Sequence, residues 1–219
     1  MCAQLTTDQL YTEARTRDCA AGLRALGTFI NGRPSYFANG EIALIGTGDT
    51  SVPVLNGLGN VVSFEAPKDQ DKALTALGLT LVRIPAAQAT SDRRAQVSAL
   101  IWRAGLLAKL LDTAFAHLSS RESGGQKTLQ HQLVKASFTE CFTASERVRT
   151  ELPFFLDETN ALDFDAEHKE LSRLTTAAAK LMGGHGFLLG SLNSLETLSF
   201  VVSNLLAATA EPQNQRAAA

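Results

Sequence analysis

The rhythm of apolar and polar residues changes twice along the chain. From Thr6 onward, Leu10, Ala14, Ala21 and Leu26 recur at steps that a helix gathers on one side. Thr6-x-x-Gln9 has the form of a capping box, in which hydroxyl and amide side chains satisfy each other's backbone N–H groups. The pattern predicts one helix as far as Gly27. Between Phe29 and Ile84 the rhythm shortens to β-prone runs, "EIALIG", "VPVL", "NVVSFEA" and "LTLVRIP". They are punctuated by Asn31-Gly32, Asn39-Gly40, Asn56-Gly57 and Gly59-Asn60, the turn chemistry of hairpins. These predict a small antiparallel sheet.

Helical spacing returns after Pro85. Ser91-Asp92 can accept from the free amides of a first turn, and Val97, Leu100, Ile101, Ala104, Leu107, Leu111, Phe115 and Leu118 form a wide apolar face. Ala108 beside them is small enough for close helix approach. The polar stretch SSRESGGQKT at 119 to 128 separates this helix from a second, Leu129 to about Leu152, which Pro153 stops. A third runs from Asp163 to Met182, with Asp163, Asp165 and Glu167 at its start and Lys180 at its end, as the helix dipole prefers. A fourth covers Ser194 to Ala208. Four amphipathic helices with short connections predict an up-and-down four-helix bundle, because each apolar face needs partners on more than one side. The fold class is therefore mainly α with a small antiparallel β region: residues 1–88 hold the N-terminal helix and the β region, 89–210 the bundle, and 211–219 a flexible tail.

Composition excludes some function classes. With 219 residues, 45% of them hydrophobic, the chain can bury a real core, and its formal charge of -2 offers no broad attraction to nucleic acid. The N-terminus MCAQLTTDQLYTEARTRDC lacks the apolar run of a signal peptide, and no stretch has the apolar length of a membrane span. Cys2, Cys19 and Cys141 are odd in number and lack paired spacing, which fits a reducing, cytoplasmic setting. His117, His131, His168 and His185 fall on different elements without ligand spacing, so no metal site is expected. "GTGDTS" at 46 to 51 lacks the lysine and the helix start of a phosphate loop and reads as a turn. No GxSxG elbow is present, and Cys141 reads as a buried, inert thiol.

Two stretches carry candidate chemistry. SSRESGGQKTLQHQLVK sets an arginine and two glycines in a loop, followed by amide side chains and a histidine at a helix start; KLMGGHGF ends the third helix in a glycine cluster. Either alone is an ordinary connection, although an arginine loop can hold an anion and Gly183 can be a left-handed cap. Together, in this order, they resemble the C-terminal helical domain of the acyl-CoA dehydrogenase family, whose segments read approximately R-x-[QT]-F-G-[RK]-x-L-x-x-x-Q and Q-x-x-G-G-x-G-[YF]. Arg121, Ser123, Gly125 and Gln132 match the first, with His131 alongside; Gly183, Gly184, Gly186 and Phe187 match the second. The resemblance spans about residues 95 to 210, and the region 29 to 84 would be a reduced version of the family's middle β-domain.

The resemblance implies flavin adenine dinucleotide (FAD) held between subunits, with Arg121, Ser123, His131, Gln132, Gly183 and Gly184 as cofactor-binding positions. A guanidinium pairs with pyrophosphate as a fork, and glycines let backbone amides approach. Departures accompany the match: Gly124 replaces the motif's phenylalanine, Thr128 its leucine, Lys180 the later glutamine, and Leu198-Ser199 an arginine-aspartate pair. The family's carboxylate base has no counterpart at Leu206-Ala207-Ala208-Thr209, nor at Ala95 or Gln96. No catalytic residue is assigned, since Glu140, Glu146 and Glu196 read as solvated helix faces. The implied role is a subunit of a hetero-oligomeric, FAD-dependent acyl-thioester dehydrogenase that partners a longer acyl-CoA dehydrogenase-like subunit or itself. The alternative is a non-catalytic scaffold that retains the bundle.

Overall fold

The computed structural model describes residues 5–65, 70–84, 93–156, 161–188 and 190–207. Cys2, the end of "NVVSFEA", Pro85, the Ser91-Asp92 cap, Ala208-Thr209 and the tail 211–219 lie outside the described residues.

The first helix is two. In α1 (Thr7–Thr16) the capping box is made: the Gln9 amide donates to Thr6 Oγ1 at 3.2 Å, and the Thr6 amide to Gln9 Oε1 at 2.8 Å. Arg17 and Asp18 then turn extended, and Asp18 accepts from the Ala21 amide at 2.8 Å, starting α2 (Cys19–Asn31). A short acid competes for backbone amides, which is why it favours a helix start over a helix interior. Asn31-Gly32 closes α2 instead of making a hairpin, with Gly32 left-handed at φ 70°.

Four short strands follow: β1 (Tyr36–Asn39), β2 (Ile42–Gly46), β3 (Val54–Leu55) and β4 (Leu79–Arg83), in spatial order β3-β1-β2-β4. The β1-β2 hairpin turns at Gly40, and β2 pairs antiparallel with β4 from Ile42↔Arg83 to Gly46↔Leu79. The predicted antiparallel sheet is thus present, with β3 added in parallel to β1. Because β4 holds the free edge of β2, β3 docks on β1, two reversals away, and so runs the same way. Among its described residues, "NVVSFEA" makes only isolated bridges, at Val61 and Glu65. A short helix, α3 (Lys72–Ala76), is capped by Asp71 through the amides of Ala73 and Leu74.

The helical domain comprises α4 (Arg93–Ser119), α5 (Gln132–Glu151), α6 (Phe164–Lys180) and α7 (Leu192–Ala207). Between α4 and α5 lies a hairpin, β5 (Glu122–Ser123) and β6 (Gln126–Lys127), then a 3-10 turn at Thr128–Gln130 that delays the start of α5 from the predicted Leu129. Pro153 falls in the 3-10 turn that ends α5. Helix α4 touches α5, α6 and α7 on one side and α1 and α2 on the other, so it is buried almost all round from Val97 to Ala108. The residue that permits this is Gly105, not only Ala108: a Cβ at Gly105 would fall 2.4 Å from the Tyr11 carbonyl oxygen of α1. Polar links tie the surrounding helices together, with Tyr11 Oη of α1 2.9 Å from Ser145 Oγ of α5 and Trp102 Nε1 of α4 donating to the Gly22 carbonyl of α2 at 2.8 Å. Phe115, predicted to face inward, is 56% exposed, although Ala114 and Leu118 on either side of it in α4 are buried.

Candidate functional site

The two glycine-bearing stretches meet at one end of the helical domain. The hairpin after α4 closes through the Thr128 amide, which donates to the Arg121 carbonyl at 2.9 Å. Its two-residue turn is Gly124-Gly125, with φ of 59° and 77°, a geometry that an aromatic at 124 would adopt only under strain. Arg121 is exposed and reaches back one helical turn, its Nη1 donating to His117 Nε2 at 2.9 Å. The His117 ring in turn lies 4.9 Å from the His185 ring, centroid to centroid, and His185 belongs to the 3-10 turn Gly183–Phe187 that follows α6. Arg121, His117 and His185 therefore join the arginine hairpin to the glycine turn.

The remaining sequence-predicted positions divide by role. Ser123 and Gln132 are exposed, Gln132 as the first residue of α5. His131 is engaged inside the hairpin: its Nε2 donates to the Ser123 carbonyl at 3.1 Å, and its Nδ1 accepts from the side-chain Nε2 of Gln126 at 3.0 Å. These bonds hold the loop in shape. Gly183 carries φ 54°, and Gly184 presents an open backbone face where an added Cβ would meet nothing within 4 Å. Gly186 is a packing glycine, since its Cβ would fall 2.5 Å from the Ala179 carbonyl oxygen.

The site is cationic. Nε and Nη2 of Arg121 have no partner among the described residues. His117 is held below the ordinary histidine range by partial desolvation and by the neighbouring Arg121 and His185. Its role as acceptor from Arg121 agrees with a neutral ring.

Sequence reasoning missed both His117 and His185 as site residues, although His117 stands four positions before Arg121 on a helix, the spacing of facing side chains. It also missed Arg103. That side chain is wholly buried, with Nε donating to Ser199 Oγ (3.0 Å), Nη1 to His168 Nδ1 (2.8 Å) and the His168 carbonyl (3.1 Å), and Nη2 to Ser172 Oγ (2.7 Å). Burial lowers the Arg103 pKa to about 10; burial and the adjacent guanidinium lower that of His168 to about 4. His168 Nε2 is buried without a partner among the described residues. Ser199 is the residue standing where the family pattern has aspartate.

The three glutamates considered as bases are occupied. Glu140 pairs with Arg173 at 2.7 Å, Glu146 accepts from Tyr11 Oη (3.1 Å) and Arg149 (3.3 Å), and Glu196 accepts from Thr176 at 2.6 Å. Ala95 and Leu206, at the two places where a base is expected, are fully buried apolar residues. Burial, reinforced by Glu140, raises the Cys141 thiol to about 11, which suits an inert core residue. No helix of the described residues is long and apolar enough to cross a membrane.

No family model and no curated protein matches the chain. Solved structures do. Butyryl-CoA dehydrogenase from Megasphaera elsdenii superposes at a TM-score of 0.55 with 10% identity, over 92% of this chain and 79% of that one. An acyl-CoA dehydrogenase from Slackia heliotrinireducens gives 0.50 with 15% identity, over 97% and 75%. The Tcur3481-Tcur3483 steroid ACAD gives 0.50 with 16% identity, over 78% of this chain but only 57% of its own length. At these identities the likeness is one of fold, and the fold is that of the acyl-CoA dehydrogenases.

Proposed function

We propose that this chain, which has the acyl-CoA dehydrogenase fold, is a flavin-associated subunit of a hetero-oligomeric acyl-thioester dehydrogenase. It lends Arg121 and the turn at Gly183-Gly184 to an FAD site that a longer, catalytic partner completes. One observation carries the reading: the Arg121–His117–His185 contact brings two sequence-distant motifs to the same end of the bundle, both facing outward. The residues fit a diphosphate. Arg121 keeps two of its nitrogens for a forked ion pair, and the bare backbone at Gly184 admits close approach of an anion to main-chain amides. Ser123 and Gln132 add neutral polar groups beside them, with the hairpin held in shape by His131.

When bound, the flavin supplies the hydride acceptor for CH–CH oxidation. What this chain supplies is binding and orientation. Proton removal next to a thioester needs a positioned base, and the expected positions hold Ala95 and Leu206 while the three candidate glutamates serve helix contacts. The base is therefore assigned to the partner. Two buried thiols, Cys19 and Cys141, suit the reducing cytoplasmic setting in which we place the complex.

The test is co-purification with a longer dehydrogenase-fold partner, followed by the visible flavin spectrum and turnover of an acyl thioester. Loss of a charge-assisted pair predicts that Arg121→Ala weakens FAD retention by about 10-fold or more, while Glu140→Gln, Glu146→Gln and Glu196→Gln keep nearly full turnover. Undiminished flavin in Arg121→Ala contradicts the proposal. A stable but colourless wild-type complex supports the scaffold reading instead, which the fully buried Leu198 favours, since the family pattern has a charged residue there.

A further inference from the structure

A second concave site lies on another face of the helical domain. Helix α1 occupies the groove between α4 and α5 through Tyr11, which approaches Gly105 on one side and bonds Ser145 on the other. At Arg17 the chain turns away. Past that point the groove stays open, with a volume of about 460 Å³, within the range of roughly 300–1,000 Å³ usual for small-molecule sites.

The floor of this groove is apolar and its edges are not. Leu111 and Phe115 of α4 face Phe138 and Phe142 of α5, with Phe115 and Phe138 in edge-to-face contact at 6.2 Å. Phe115 is 56% and Phe142 51% exposed, so both rings leave apolar surface in water. The end next to α1 is closed by Arg15 and Asp112, which neutralise each other at 2.7 Å. On the α5 edge stand Lys135 and Thr139. Among the described residues Lys135 has no ion-pair partner, so the net charge left at the rim is a single ammonium.

We propose that this groove binds an amphipathic carboxylate, its apolar body lying on the four side chains of the floor and its anionic head at Lys135 and Thr139. The apolar floor selects against small polar anions. The one uncompensated cation selects an anionic head over a neutral or cationic one. Leu129, in the turn that follows the arginine hairpin, lines one end of the groove, but Arg121, Ser123, Gln132, Gly183 and Gly184 do not line it, so the proposal does not rest on the flavin reading.

The test is titration calorimetry of the full chain with decanoate below its micellar concentration, and with decyltrimethylammonium as the charge-reversed probe. Decanoate should saturate one site per chain and bind better than the quaternary amine. An exposed ion pair contributes little, so Lys135→Gln should weaken decanoate about two- to fivefold and leave the amine no weaker. Phe115→Ala and Phe142→Ala, both at half-exposed positions that the fold tolerates, should each weaken it about fivefold or more with unchanged circular dichroism. The proposal is overturned by absent or unsaturable decanoate binding, by equal binding of the two probes, or by indifference to all three substitutions. Concentration-dependent self-association that Phe142→Ala abolishes and decanoate does not compete would also overturn it, since the face would then be an interface between copies.

Discussion

A guanidinium withdrawn from water ordinarily faces a carboxylate, because an unpaired buried charge costs several kcal/mol. Arg103 faces two hydroxyls, a carbonyl and an imidazole instead. Ser199, one of those hydroxyls, stands where the family pattern has aspartate. Restoring the acid should therefore help: Ser199→Asp is predicted to raise the unfolding free energy by about 1–3 kcal/mol in urea titrations near neutral pH, and a loss would show that the new carboxylate does not reach Nε. The imidazole makes a separate prediction. Folded His168 stays neutral down to about pH 4, whereas the unfolded chain takes up that proton near pH 6.5. The unfolded state thus binds more protons through this window, and stability must fall as pH drops through it, by about 2 kcal/mol between neutrality and pH 5. His168→Gln, which keeps an acceptor for Arg103, should lose that part of the pH dependence; identical pH profiles for the two proteins would contradict the assignment.

At the scale of elements, the glycines separate fold from function. Gly105→Ala should cost about 1–3 kcal/mol, because the new methyl meets the Tyr11 carbonyl and α1 must move. In the glycine turn, Gly184→Ala should leave stability within about 0.5 kcal/mol and Gly186→Ala should not, since only the latter meets backbone. Equal thermal shifts for the two would refute the division. The same elements show what the sequence discloses. Helix α6 was readable because its apolar period, acidic first turn and final lysine agree. The break between α1 and α2 was not, because Leu10, Ala14, Ala21 and Leu26 keep a helical spacing across it and only the cap made by Asp18 marks the restart. Strand β1 is buried at every position, so it shows no alternation to read. The arginine hairpin was legible as a loop, but that His117 and His185 tie it to the glycine turn depends on the packing of α4 against α6, which no local pattern encodes.

For the whole molecule, α4 is the axis on which α1, α2, α5, α6 and α7 pack, and the sheet joins the same apolar core through α2 and α7. That arrangement holds the arginine hairpin, at the C-terminal end of α4, in a fixed relation to the turn that follows α6. The central claim is that these two points face one nucleotide together with a partner subunit. Hydrogen exchange read by mass spectrometry on the co-purified complex, with and without added FAD, tests it most directly. The account predicts that FAD slows exchange in residues 121–132 and in 183–187 together, and that Arg121→Ala removes both protections. Protection confined to one segment, or identical exchange with and without FAD, would contradict it.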